Sequence, residues 1–189
     1  MIMCLSSDKK HYVSPETRLY ENRIISFVSE FNDKTCEQIT HNLLCLDECM
    51  ASDAPKDIDV ILNSGGGSVT AGLGLINTME SLSSKVNIIV TGQAASMGAV
   101  FLACATGRRI AQKDSRIMIH QPLGGYSGQA SDILIHANEI KRMKALLYKK
   151  LTDTTKGKCT IKRMEELCER DNFLTPEMAL ELGLIDEIR

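Results

Sequence analysis

Unbroken aliphatic runs alternate along this chain with stretches whose apolar positions recur every three or four residues. Residues 23–28, 58–62 and 86–91 read as strands, rich in Ile and Val. Residues 33–50 carry Ile39, Leu43, Leu46 and Met50 on one face and predict a helix that breaks at 53–56. A second helix is predicted over 69–82, and residues 99–105 read as a buried one. Two short strands, 109–112 and 115–119, precede a long polar-rich helix from 129 to about 152, with Ile133, Ile140, Met143 and Leu147 at helical spacing. A loop at 154–158 and a short helix over 160–168 follow. Thr175-Pro176-Glu177 has helix-start chemistry, Gly183 closes that helix, and 184–188 is expected to end the chain as a strand. The regular succession of strand and helix predicts right-handed crossovers and an α/β fold with a largely parallel sheet. Residues 1–15 are polar and mixed, and a flexible or partner-dependent arm is expected there; Ser14 and Pro15 would start a short helix after it.

Composition narrows the picture little. At 189 residues the chain suits one domain with a proper core. A net charge of −2 without a basic cluster argues against nucleic acid or an anionic membrane as partner. No apolar run is long enough to span a bilayer, and no basic start precedes an apolar region near residue 1, so a cytoplasmic protein is expected. The seven cysteines include no CxxC pair and read as reduced thiols. His41, Cys45 and Cys49 share a helix face at four-residue spacing, but no fourth ligand is evident; packing is the better reading, and no metal is expected.

The chemistry concentrates where strands end. Gly92-Gln93-Ala94-Ala95-Ser96-Met97-Gly98 reads as a small-residue turn with one serine between a strand and a helix. A helix N-terminus offers unpaired N–H groups and partial positive charge, which suits an oxyanion beside an attacking hydroxyl. The same stretch equally describes a serine N-cap, and it does not decide alone. Asn63-Ser64-Gly65-Gly66-Gly67-Ser68 ends another strand. It fits neither phosphate-loop pattern, and close backbone approach is the alternative use of its glycines. Both stretches fall at carboxyl ends of strands, where ligands sit in parallel sheets. Of the four histidines, His120 at a strand tip is the best-placed base for Ser96; packing or capping remains open for it.

Gly92 to Gly98, Met118-Ile119-His120-Gln121-Pro122-Leu123-Gly124-Gly125, Gly128-Gln129-Ala130, Thr70-Ala71-Gly72, Glu169-Arg170-Asp171-Asn172-Phe173 and Gly183-Leu184-Ile185-Asp186 together resemble the proteolytic-subunit family of the Clp protease (ClpP), from about Arg18 onward. The resemblance implies a crotonase-like ClpP fold of stacked βαβ units: an axial arm over 1–17, one protease domain over 18–189, and a protruding handle of strand plus long helix over about 121–154. It implies Ser96 as nucleophile, His120 as general base, Asp171 as orienting acid, and the N–H groups of Gly67 and Met97 as oxyanion hole. Leu123 and Gly125 would bind extended substrate backbone to backbone. It further implies two stacked heptameric rings, homomeric or mixed with a paralogue, acting on unfolded proteins or peptides delivered by an AAA+ unfoldase, with no cofactor in this subunit.

The sequence departs from that family in places. Gly65 stands where Pro is common, Asp59 and Ile61 stand where tyrosines often line the unfoldase pocket, and the loop at 154–158 is longer. A carboxylate in an apolar pocket would weaken an apolar partner loop. Two other readings follow: a weakly active or regulatory subunit of a mixed ring, and an acyl-CoA enzyme of the crotonase class that uses the glycine-rich N–H groups for a thioester oxyanion.

Overall fold

The structure is a computed structural model and describes residues 2–48 and 56–189. The expected helix end at Cys49 and Met50, the break at 53–55 and Cys49 as a third metal ligand lie outside the described residues. Among the described residues no three His, Cys, Asp or Glu side chains cluster to hold a metal ion, and no helix is long and apolar enough to cross a membrane.

The chain begins with a small antiparallel pair, β1 (Cys4–Leu5) and β2 (Tyr12–Val13), and continues into helix α1 (Pro15–Glu21). Ser14 caps α1 by accepting from the Thr17 N–H, and Pro15 sits where its missing N–H costs nothing. The polar arm therefore holds local structure that its composition did not predict: Ser6 bonds the His11 backbone, and the intervening turn closes on Asp8. Helix α1 runs across the expected boundary between residues 17 and 18.

A seven-stranded sheet organises the rest. Strand β3 (Ile24–Phe27) pairs with β4 (Ile58–Ser64), which pairs with β5 (Val86–Ala95), all parallel. Helices α2 (Asp33–Glu48) and α3 (Val69–Ser81) make the crossovers. Ile58, Val60, Leu62 and Ser64 are buried while the residues between them are half-buried, so β4 shows one face to the helices. Asp59 and Ile61 lie on the other face, where Asp59 accepts from the Asn87 amide at 2.8 Å.

Strand β5 extends well past the predicted end at 91. Residues 88–90 pair with β6 (Arg109–Ala111), and residues 93–95 pair with β7 (Arg116–Ile119). Gln93, Ala94 and Ala95 continue as strand rather than forming a turn, because β7 pairs with them. Helix α4 (Met97–Ala103) follows at once and is buried throughout. The long helix α5 (Ala130–Thr154) buries Leu147, Tyr148 and Leu151 in its last turns, while Ile133, Leu134 and Ile135 near its start are exposed. Its first half projects from the body. Residues 120–128 form neither helix nor strand, so the strand expected in the handle has no partner among the described residues. Helix α6 (Ile161–Leu167) leads to β8 (Asn172–Leu174), which runs antiparallel to β7, and α7 (Pro176–Leu182) leads to the two-residue β9 (Glu187–Ile188) beside β6. The predicted closing strand is shorter because Gly183 turns left-handed and Arg109 engages the following segment.

Candidate active site

The sheet register brings three separated segments to one edge. β7 lies between β5 and β8, with Ala95 opposite Met118 on one side and Ile119 opposite Asn172 on the other. One step beyond each ladder, Ser96 follows β5, His120 follows β7 and Asp171 precedes β8. The Ser96 N–H donates to the Met118 carbonyl at 2.8 Å, which fixes the serine beside the tip of β7.

The side chains meet. Ser96 Oγ lies 2.7 Å from His120 Nε2, and His120 Nδ1 lies 3.0 Å from Asp171 Oδ1. A carboxylate only accepts, so the Nδ1 proton faces Asp171, and in the neutral imidazole this tautomer leaves Nε2 to accept from the serine hydroxyl. Ser96 occupies the N-cap position of α4 but makes no capping bond. Its hydroxyl is turned to the imidazole instead, which removes the N-cap reading of this serine. The backbone there has φ 55° and ψ −119°, a conformation an L-residue rarely holds. His120 is nearly covered, with 13% of its side chain exposed, whereas Asp171 is 62% exposed.

The glycine-rich turn packs against this elbow. Gly66 has φ 100°, and a Cβ there would lie 2.7 Å from both the Ala95 carbonyl oxygen and Ser96 Cβ. Gly67 has φ 142°, and its Cβ would collide with the Phe31 backbone. The Phe31 N–H donates to the Gly66 carbonyl and the Ser68 N–H to the Phe31 carbonyl, so the turn is stitched to the segment after β3. These glycines admit neighbouring backbone, not a phosphate. Gly65 is not constrained in this way: its Cβ would sit 3.7 Å from the Gln93 amide, in ordinary contact. Among the described residues, neither the Gly67 nor the Met97 N–H donates to a protein acceptor. Phe27, Phe31 and Phe101 stack edgewise beneath, with centroids 4.6 to 6.1 Å apart.

A small cavity of about 20 Å³ opens beside Ser96 and His120, walled by Val69, Val100, Leu147 and Leu151. Leu123 stands 87% exposed at the lip of a wider groove, opposite Gly67 to Thr70. Gly125 is open, with nothing within 4 Å of an added Cβ. The structure brings together the serine, histidine, aspartate and glycine-rich turn, and Leu123 also lines one pocket with His120 and Asp171. The other histidines are elsewhere: His11 in the β1–β2 turn, His41 exposed on α2, and His136 stacked on Tyr126 with ring centroids 3.7 Å apart. Gln121 and Lys144 also reach the site's margin, and the sequence reading gave neither a site role. Their only signal was the position of Gln121 next to His120. Burial disfavours the thiolate of two cysteines, pushing Cys104 up to about 11 and Cys168 up to about 12.

Compared with known families, the chain matches the family model described as Clp protease over residues 7–189.

Proposed function

The chain belongs to the Clp protease family, a family of peptidases, and we propose that it cleaves peptide bonds by serine chemistry. Ser96 attacks the scissile carbonyl, His120 takes its proton at Nε2 and returns it to the leaving amine, and Asp171 holds the Nδ1–H and stabilises imidazolium. The single observation that carries this reading is the Ser96 hydroxyl, which forgoes its cap to face an imidazole nitrogen at 2.7 Å. The unpaired N–H groups of Gly67 and Met97, beside the serine, suit the oxyanion of the tetrahedral intermediate. The exposed, unpaired backbone over 121–128, including Leu123 and Gly125, suits an extended peptide added as a strand. The apolar walls beside Ser96 disfavour a charged side chain next to the cleaved bond.

The wider assignment belongs to the same proposal: an arm over 1–17 attached to one protease domain over 18–189 with its handle over 121–154, assembled in stacked heptameric rings in the cytoplasm and fed unfolded chains by an AAA+ unfoldase. The exposed Ile133, Leu134 and Ile135 on α5 supply apolar surface that ring stacking would cover. Asp59, bonded to Asn87 on the outer sheet face, favours a partner loop less apolar than the family norm.

Treatment of the assembled protein with a fluorophosphonate is expected to add one phosphonyl group at Ser96, located by peptide mass, and to abolish hydrolysis of a short fluorogenic peptide. Ser96→Ala is expected to lower that hydrolysis by about 10⁴-fold or more. An unlabelled Ser96 with an intact assembly would favour the regulatory-subunit reading. Thioester turnover in place of peptide turnover would favour the acyl-CoA reading.

A further inference from the structure

One polar chain outside the reacting trio runs from α5 to the segments that carry the imidazole and the carboxylate. Gln121 directly follows His120. Its Nε2 donates to the Glu169 carbonyl oxygen at 2.7 Å, and its Oε1 accepts from Lys144 Nζ at 3.0 Å. The amide orientation is forced. An ammonium only donates and a carbonyl only accepts, so a flipped amide would satisfy neither neighbour. Lys144 Nζ also stands 3.6 Å from the Glu169 carboxylate and 5.5 Å above the Tyr148 ring centroid.

The location of this brace gives it a task. Asp171 lies one residue outside the β7–β8 ladder, and its side chain is mostly in solvent. Among the described residues its carboxylate makes one polar contact, to His120. The carboxylate does not hold itself in place, because an exposed single hydrogen bond is worth little against the entropy of fixing the chain. Beyond the β7–β8 ladder at Asn172 and the Glu169 N–H to the Glu166 carbonyl at 3.4 Å, two side-chain bonds restrain the backbone that carries it: Asn172 Nδ2 to the Leu167 carbonyl at 3.1 Å, and Gln121 to the Glu169 carbonyl. The second ties the approach to Asp171 directly to the residue after His120. Lys144 fixes that tie to the same end of α5 whose Leu147 and Leu151 wall the cavity beside Ser96.

We propose that Lys144 and Gln121 are positioning residues, and that the Lys144–Gln121–Glu169 brace holds the Asp171 carboxylate against His120 Nδ1. The proposal rests on the reading of Ser96, His120 and Asp171 as the reacting set. A carboxylate displaced by about 1 Å from the imidazole forfeits much of its effect on the reaction, while substrate binding along 121–128 would be little touched.

The test uses full-length assembled protein and a fluorogenic peptide. Lys144→Met is expected to lower kcat by about tenfold with KM within about twofold. Lys144→Arg, which keeps a donor for Gln121 Oε1, is expected to recover most of that loss. Gln121→Glu keeps the shape and the tie to Lys144 but cannot donate to the Glu169 carbonyl, and is expected to match Lys144→Met. In an Asp171→Asn background, Lys144→Met is expected to cost less than about twofold, because the brace acts through the carboxylate it positions. Unchanged kcat in both Lys144→Met and Gln121→Glu would overturn the brace, as would a full tenfold loss persisting in the Asp171→Asn background. Asp171→Asn with wild-type turnover, beside an inactive Ser96→Ala, would instead remove the role of the carboxylate, and the brace with it.

Discussion

Asp186 grips the Arg109 guanidinium through both carboxylate oxygens, at 2.5 and 2.9 Å, while Asp171 meets the His120 imidazole through one. Every nitrogen of Arg109 donates. Its remaining nitrogen donates to the carbonyls of Thr154 and Gly183 at 3.0 and 2.8 Å, and its backbone N–H donates to Asp186 as well. The arginine is 5% exposed and ties β6, the end of α5 and the end of α7 into one corner. Asp171 has no comparable set of partners. The first pair is bidentate, with its arginine buried, which is what a clamp needs. The second is open and singly bonded, which lets a proton come and go at the imidazole while the carboxylate follows the change in charge. A carboxylate that fixes structure and one that serves chemistry thus differ by how many of their hydrogen bonds the fold supplies.

Exchanging each acid for its amide separates the two most sharply. Asp171→Asn is expected to lower kcat for peptide hydrolysis by about 10³-fold, since an amide no longer selects the Nδ1–H tautomer. Its unfolding free energy should move by less than about 0.5 kcal/mol, because the side chain is exposed. Parallel kinetics and denaturation of one preparation check both numbers, and a large loss of stability would mean that Asp171 is also a clamp.

Asp186→Asn is expected to do the reverse, destabilising the fold by about 3 kcal/mol with little effect on turnover in the folded fraction. Hydrogen bonds from Arg109 hold the Asp186 carboxyl well below the usual carboxylate range, against the opposing effect of burial. Its folded pKa is lower than its unfolded one, so this stabilisation is complete above about pH 4 and drains away as pH falls toward the folded value. Denaturation between pH 7 and pH 3 should therefore show the wild type losing more stability than Asp186→Asn. Equal slopes would show that the pair contributes nothing to the acid response.

The smallest effect concerns the elbow itself. Ser96 holds φ 55° for the sake of its hydroxyl's direction, so Ser96→Gly should stabilise the protein by about 1 kcal/mol while removing activity. A Ser96→Gly protein less stable than Ser96→Ala, measured by thermal midpoint, would mean that the backbone there is unstrained.

How much of this was legible in the sequence follows from where the information sits. The parallel strands and their helices announced themselves through apolar runs and periodicity, because aliphatic residues fill the strands' buried face. The end of β5 was misread as a turn: Gly92 to Ala95 have turn-like composition, and only a partner strand distant in sequence makes them a ladder. β8 escaped notice because Asn172–Leu174 is too short for alternation, yet its register sets Asp171 opposite His120. Ser96 and His120 stood out by their surroundings. Asp171 had no local signal, and only family resemblance singled it out. The hairpin of β1 and β2 was hidden by polar residues that bond one another, a property composition does not carry.

The contact between Gly66 and Ser96 has a consequence for how this sequence can change. A saturation library at residues 65 and 66, sorted for properly folded and active protein, should accept many side chains at 65 and return glycine at 66, because the space a methyl group would need is already taken by the Ala95 carbonyl oxygen and the nucleophile's own Cβ. Two neighbouring glycines that look interchangeable on paper therefore carry unequal evolutionary freedom, and the second is inherited together with the serine it touches.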